Sequence, residues 1–309
     1  MIIKWNLCNI KSTLSEASTE LSNQLRDLRA CIHLTFHWYE DLRSIRLNFQ
    51  RLGYLRQTLI EIRNYQFSTT VLVIHTNVDW TRQVLWVLAP WVEVRIHRNL
   101  DDPLMLSWAH RREMERSIVD RKADVFMYLE DDLAIPWVVI KSWYTDNILL
   151  KRTGHDLRGF LRFELAGQKK YLSDIREPCA PDKLVEIDGH FFLRPSNPYC
   201  AFWIYTLDQM EEFITMRCWQ EFHYPGTPRE SAAIGMGFYE FQESSHPRNL
   251  VPMATDGSIS SACLVHHLPN NYAEHYCDEP GALGSLLVDD ILQAPHRPSD
   301  PCYPNLRDY

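Results

Sequence analysis

Between Cys31 and Asp132 the hydrophobic pattern switches repeatedly between two periods, and that alternation leaves few folds open to the chain. Cys31–Trp38 (CIHLTFHW) half-alternates and stops at Tyr39-Glu40-Asp41, as a strand running into a loop does. Leu42–Tyr65 carries Ile45, Phe49, Leu52, Leu55, Leu59 and Ile62 three or four apart, the spacing of an amphipathic helix. Thr70–Thr76 (TVLVIHT) is a β-branched run suited to a strand covered on both faces. Trp80–Leu88 reads as a helix closed by Pro90, and Val92–His97 as a strand. Leu104–Val119 reads as a helix rich in arginine and glutamate, and Asp124–Leu129 (DVFMYL) as another apolar strand. Such alternation predicts a mostly parallel α/β sheet with helices on both faces. Ligands of such sheets bind beyond the carboxyl ends of the strands. Glu130-Asp131-Asp132 and Tyr39-Glu40-Asp41 both stand at such ends.

After Trp143 the pattern changes to short strands at Leu157–Leu165, Val185–Arg194 and Cys200–Thr206, with helices near Asp208–Arg217 and Glu230–Phe238. The expected organisation is a polar helical extension over 1–30, an α/β half over 31–145, an α+β half over 146–293, and a tail over 294–309 held extended by Pro295, Pro298, Pro301 and Pro304.

Composition narrows the function classes. A formal net charge of −8 gives no support to general nucleic-acid binding. The longest apolar run, Val84–Val92, is too short to span a bilayer and contains Pro90, so no transmembrane segment is expected. The first thirty residues lack the apolar core of a signal peptide. Eight scattered cysteines without a CxxC pair read as reduced thiols. A cytoplasmic protein is the expectation, with a Golgi or ER lumen location open should an N-terminal anchor precede this sequence.

The chemistry concentrates at Tyr128-Leu129-Glu130-Asp131-Asp132-Leu133. Three consecutive acids after an apolar strand repel one another unless a counter-ion is present. A divalent cation resolves the conflict and keeps positions open for phosphate and water. The plainer account is an acidic turn capping the helix that follows.

Placed after three strand–helix units, Glu130-Asp131-Asp132 resembles the DXD-type motif of GT-A nucleotide-sugar glycosyltransferases. The resemblance spans residues 31 to about 275 and implies a GT-A-like, Rossmann-type sheet with an acceptor-binding second half. It implies that Asp132 binds Mn2+ or Mg2+ directly, that Glu130 turns to the ribose or a metal-bound water, and that Asp131 is a more structural member of the donor-binding set. It also implies a C-terminal histidine completing the metal shell, for which Leu264-Val265-His266-His267 offers His266 and His267. Neighbouring strand residues face opposite ways, so at most one of the two reaches the ion, His266 being slightly favoured by position. Two histidines hydrogen-bonded in a loop are the alternative.

Pro228-Arg229-Glu230-Ser231 resembles the segment that delivers the base in inverting enzymes, making Glu230 the catalytic candidate. Otherwise Glu230 only favours the positive end of its own helix. His37, Glu40 and Asp41 sit where this fold meets base and ribose, with Arg43 or Arg51 able to help. Arg111 and Arg112 are candidates to pair with the acids or the diphosphate, against a solvated basic face. Arg162-Phe163-Glu164 and the aromatic run around Trp203 are candidates for saccharide contact, against an ordinary core strand.

The expected activity is transfer of a sugar, with inversion, from a nucleoside diphosphate sugar (UDP favoured) to a hydroxyl of a glycan or other acceptor. The alternatives are a catalytically silent carbohydrate- or nucleotide-binding module on the same scaffold, or a metal-dependent phosphohydrolase or nucleotidyltransferase. The P-loop pattern G-x-x-x-x-G-K-[ST] does not occur.

Overall fold

The computed structural model describes residues 20–39, 44–79, 91–154, 157–197, 199–220, 227–237 and 248–292. Residues 1–19 of the extension, the helix expected at Trp80–Leu88 and the tail 294–309 lie outside them. Helix α1 (20–27) leads into β1 (Arg29–Phe36), α2 (Ile45–Arg63), β2 (Thr69–Thr76) and β3 (Glu93–Ile96). Then come α3 (Arg111–Val119), β4 (Val125–Glu130), β5 (Leu133–Ala134) and α4 (Trp137–Arg152).

The expected parallel α/β core is present. Strands β4, β1, β2 and β3 run parallel, and β10 (Phe202–Thr206) pairs antiparallel with β4 as the outer strand. Both faces are covered, which is why these strands read as continuous apolar runs. Val125, Met127 and Leu129 of β4 face Leu55, Leu59 and Ile62 of α2 and Trp143 of α4. Phe126 and Tyr128 face the other way, towards Met114 and Ile118 of α3 and Phe213 of α5 (Leu207–Phe213).

Strand β10 alternates in step with β4. Phe202 and Ile204 join the first layer, while Trp203 and Tyr205 join the second. Trp203 is 3% exposed and donates from Nε1 to the Ala232 carbonyl at 3.0 Å. Its ring packs the core and offers no face to a sugar, which corrects the expectation of saccharide contact there.

The second half is α+β, built on two further sheets. One has the order β13-β7-β6-β12-β5, from β6 (Leu161–Ala166), β7 (Lys169–Leu172), β12 (Leu264–His267), β13 (Leu286–Leu287) and β5. The other pairs β8 (Leu184–Ile187), β9 (His190–Leu193) and β11 (Val251–Pro252). The turn from β4 to β5 therefore carries the chain out of the first sheet and into the second. Glu130 ends β4, and Asp131 and Asp132 occupy that turn.

The helix expected at Leu104–Val119 is divided. Asp102 accepts from Leu104 N at 2.8 Å and Pro103 opens a 3₁₀ turn over Pro103–Trp108, after which α3 begins at Arg111. Trp108 Nε1 donates to the Pro228 carbonyl at 2.7 Å, a tertiary tie that periodicity does not register.

One polar seam crosses the second layer. Cys31 Sγ lies 3.4 Å from His33 Nε2, His33 Nδ1 is 2.8 Å from His75 Nε2, and His75 Nδ1 is 2.9 Å from His97 Nε2. Burial pushes His33 down to about 3 and lowers His75 as well. An unfolded imidazole binds its proton near 6.5, whereas the folded His33 does not until about 3. Between those values the unfolded chain holds more protons, so stability is full above about 6.5 and falls with falling pH. Thermal melts should show Tm dropping as pH goes below about 6.5, and a shallower drop in His33→Leu/His75→Leu. A wild-type Tm flat across that window would refute the account.

Candidate functional site

Glu130 ends β4 on its hydrogen-bonded register with Thr35 of β1, and Asp131 and Asp132 follow directly. All three acids are buried, at 3%, 1% and 4% exposure. Antiparallel pairing of β5 with β12 sets Leu133 opposite His267, and Leu268 N donates to the Asp132 carbonyl at 2.9 Å. From α2, the Thr58 hydroxyl lies 3.0 Å from the Asp131 carbonyl and 2.9 Å from the Leu133 carbonyl. The triplet is thus fixed by a helix on one side and a strand of the second sheet on the other.

Cations from three separate elements meet these carboxylates. Arg51 of α2 pairs with Asp131. Arg229, on α6 (Pro228–Ile234), pairs with Glu130 and lies 3.6 Å from Asp132 Oδ2. His267 of β12 points Nε2 at Asp132 Oδ2, also at 3.6 Å. Its Nδ1 engages Glu164, a fully buried carboxylate on β6 whose other oxygen accepts from Ala273 N at 2.7 Å. Burial opposes ionisation of Asp132, but contact with His267 and the charges of Arg229 and Arg51 hold its carboxyl well below the usual carboxylate range. Burial raises Asp131 instead, against the pull of Arg51. Burial and Arg162 depress His267, and Asp132 and Glu164 outweigh both to raise it.

Above the triplet opens a cleft of about 800 Å³, lined by Arg51, Glu130, Asp132, Arg229, Glu230 and His267 among others. His37 lines a smaller hollow that shares Arg51, Glu130 and Arg229, and a second cleft of about 750 Å³ with Trp38, Asn77 and His97. Burial, with Arg51 and Arg229, lowers His37 to about 4. Trp38 and Asn77 tie the β1 and β2 ends together, through Trp38 N to Asn77 Oδ1 at 2.9 Å and Asn77 Nδ2 to the Trp38 carbonyl at 2.8 Å. Glu40, Asp41 and Arg43 lie outside the described residues.

Besides Trp203, the expected positions Arg111 and His266 point away from this cleft. Arg111 is sandwiched between indoles, 3.6 Å above Trp108 and 4.7 Å from Trp219, and donates to the Cys218 and Trp219 carbonyls. It serves neither acids nor diphosphate. His266 stacks on Phe163 and sets its Nε2 2.9 Å from Asn270 Oδ1, on the strand face opposite His267. The alternation is as expected, and the histidine that faces Asp132 is His267, not the favoured His266.

Glu230 does stand on the cleft wall. Its Oε2 accepts from Thr227 N at 2.8 Å, and Thr227 Oγ1 in turn accepts from Glu230 N at 3.3 Å, the reciprocal pattern of a capping box. Glu164 and Arg229 both lie in segments that the sequence singles out, though without these roles. The signal that finds Glu164 is the alternation of β6, which turns it to the same side as Arg162.

A divalent metal can be tested against this donor set. Glu130 Oε1, Asp131 Oδ2 and Asp132 Oδ1 are buried and have no hydrogen-bond partner, an arrangement native structures rarely tolerate without an ion or water. Asp132 and His267 face each other, and a carboxylate behind the second ring nitrogen is the usual support of a metal-binding histidine. Among the described residues no group of three His, Cys, Asp or Glu side chains forms a metal constellation. Asp132 and His267 are the two facing groups whose chemistry suits a divalent cation.

No family model matches the chain, and no curated protein matches it. Among solved structures it is similar to a protein from Desulfovibrio desulfuricans G20 described as a nucleotide-diphospho-sugar transferase, at 10% identity and TM-score 0.36, over 71% of this chain and 77% of that one. It is similar to a 4-diphosphocytidyl-2C-methyl-D-erythritol synthase at 10% identity and TM-score 0.30, over 66% of this chain and 83% of that one. It is also similar to residues 1–349 of S. aureus TarS at 11% identity and TM-score 0.33, over 60% of this chain and 48% of that one. Likenesses of this size establish neither a family nor an activity.

The buried Arg51–Asp131 pair generates its own test. Arg51→Met leaves an uncompensated carboxylate in the interior and should cost about 3–5 kcal/mol in urea unfolding. Adding Asp131→Leu should restore most of that loss. A double-variant loss equal to the sum of the Arg51→Met and Asp131→Leu losses would show that the pair does not couple.

Proposed function

We propose that the protein is a metal-dependent glycosyltransferase that moves a sugar from a nucleoside diphosphate sugar, UDP-linked by preference, to a hydroxyl of a glycan or other acceptor. The observation that carries this reading is the meeting of Asp132, in the turn between the two sheets, with His267 of the second sheet, at the large cleft with Glu164 behind the histidine. Asp132 Oδ1 and His267 Nε2 would hold Mn2+ or Mg2+, which when bound neutralises charge on a departing diphosphate.

The chain's own groups do the rest. Glu164 fixes the ring of His267 by engaging Nδ1, so that Nε2 addresses the cleft. Arg229, a third exposed, adds a guanidinium at the cleft wall within reach of diphosphate oxygens. His37 and the cleft beside Trp38 and Asn77 take the nucleoside end. Glu230 accepts the proton of the acceptor hydroxyl while that oxygen bonds to the anomeric carbon. The bond from that carbon to the diphosphate breaks, its electron pair leaves with the diphosphate, and the configuration inverts. The catalytically silent binding module is favoured by one observation only, the engagement of Glu230 Oε2 in its own helix cap.

Incubation with UDP-, GDP- and CMP-sugars plus Mn2+ tests the proposal. Slow nucleotide release from one donor should be abolished by EDTA and by Asp132→Ala. Release indifferent to both would overturn it, and metal-dependent binding without release would select the silent module. Calorimetric Mn2+ titration should show Glu164→Gln weakening the ion by about 10–100-fold. Full turnover in Glu230→Gln would remove that residue from the proton transfer.

A further inference from the structure

Helix α2 buries Asn48, Arg51, Leu55, Thr58, Leu59 and Ile62 against the first sheet and the acid turn. Its opposite side does not look like the solvent face of an ordinary amphipathic helix, which is polar. Ile45, Phe49, Arg56, Ile60 and Arg63 fall within one sector of about 60° when advanced at 3.6 residues per turn. Ile45 is 46% exposed, Phe49 65% and Ile60 51%. Arg46, Arg56 and Arg63 are exposed around them, and Glu61, the helix's single acid, is half-buried on another side. Three of the helix's four arginines are thus exposed, against one glutamate, in a chain whose formal net charge is −8, while Arg51 turns inward to Asp131.

We propose that this outward face docks on an anionic lipid bilayer. Large apolar side chains flanked by arginines match an interface in which hydrocarbon lies just beneath phosphate headgroups. A second copy of the chain fits less well, because a two-fold contact through this face would set arginines against arginines. Nucleic acid would engage the arginines and leave Phe49, Ile45 and Ile60 without an apolar partner. The N-terminal half of the same helix supplies Leu47, Gln50, Arg51 and Tyr54 to the large cleft. A bilayer on the outward face therefore lies beside the cleft mouth. The inference goes beyond the transferase reading and holds whatever the cleft binds.

Vesicle flotation with the full chain decides it. The protein should float with phosphatidylcholine vesicles containing phosphatidylglycerol, stay down with phosphatidylcholine alone, and be released by salt. Arg46→Glu/Arg56→Glu/Arg63→Glu should lose binding by roughly fivefold or more per arginine while keeping the wild-type melting temperature. Phe49→Ser should weaken flotation and leave the salt dependence in place. Failure to float with the anionic vesicles would overturn the proposal, as would a triple variant that floats like wild type. So would a dimer in sedimentation that Phe49→Ser dissociates, since the face would then be a subunit contact.

Discussion

Three carboxylates enclosed in a protein interior cannot stand side by side without cations, and the architecture is arranged around that requirement. Arg51 comes from the helix after β1, Arg229 from a helix a hundred residues downstream of the triplet, and His267 from the last long strand of the second sheet. Each neutralises part of the charge, and each pins its own element to the turn between β4 and β5. The same electrostatic need that makes the site chemically capable also fastens the two halves together.

The compensation is incomplete, and its shortfall is informative. One oxygen on each acid is left without a donor, although the Asp131 and Asp132 carbonyls are engaged by Thr58 and Leu268. A turn evolved only to cap α4 would leave its acids in water, as N-terminal helix acids ordinarily are. Here α4 begins at Trp137 after Pro136 with no side-chain cap, and the acids turn inward instead. Buried acceptors without donors are rare in native proteins, and here three of them stand side by side.

Much of the fold was legible because burial on both faces gives β1, β2 and β4 an unmistakable apolar run, and α2 a regular stripe. What periodicity could not supply was partnership. Nothing local says that Arg51 meets Asp131 across eighty residues, or that Glu164 stands behind His267. The division at Ala109–His110 arises from tertiary ties to Pro228, so the helix expected over Leu104–Val119 ran too long. Arg111 reads as a charge that must face water or substrate, yet two indoles and two carbonyls give it an interior home. Trp203 shows the reverse error, an aromatic assigned to ligand whose alternation with Phe202 and Ile204 already marked it as core.

Strand β10 has a consequence for biosynthesis. It closes the open side of β4, yet it leaves the ribosome more than seventy residues after its partner. Until then the nascent first sheet presents an unpaired hydrophobic edge, the kind of edge that invites intermolecular pairing. The parallel core cannot finish as an autonomous early unit, and completion waits on a distant segment, which makes folding slow by topology. Truncating the chain ahead of residue 202 would accordingly strip the edge guard from the sheet's inner strand, whatever happens to the cleft.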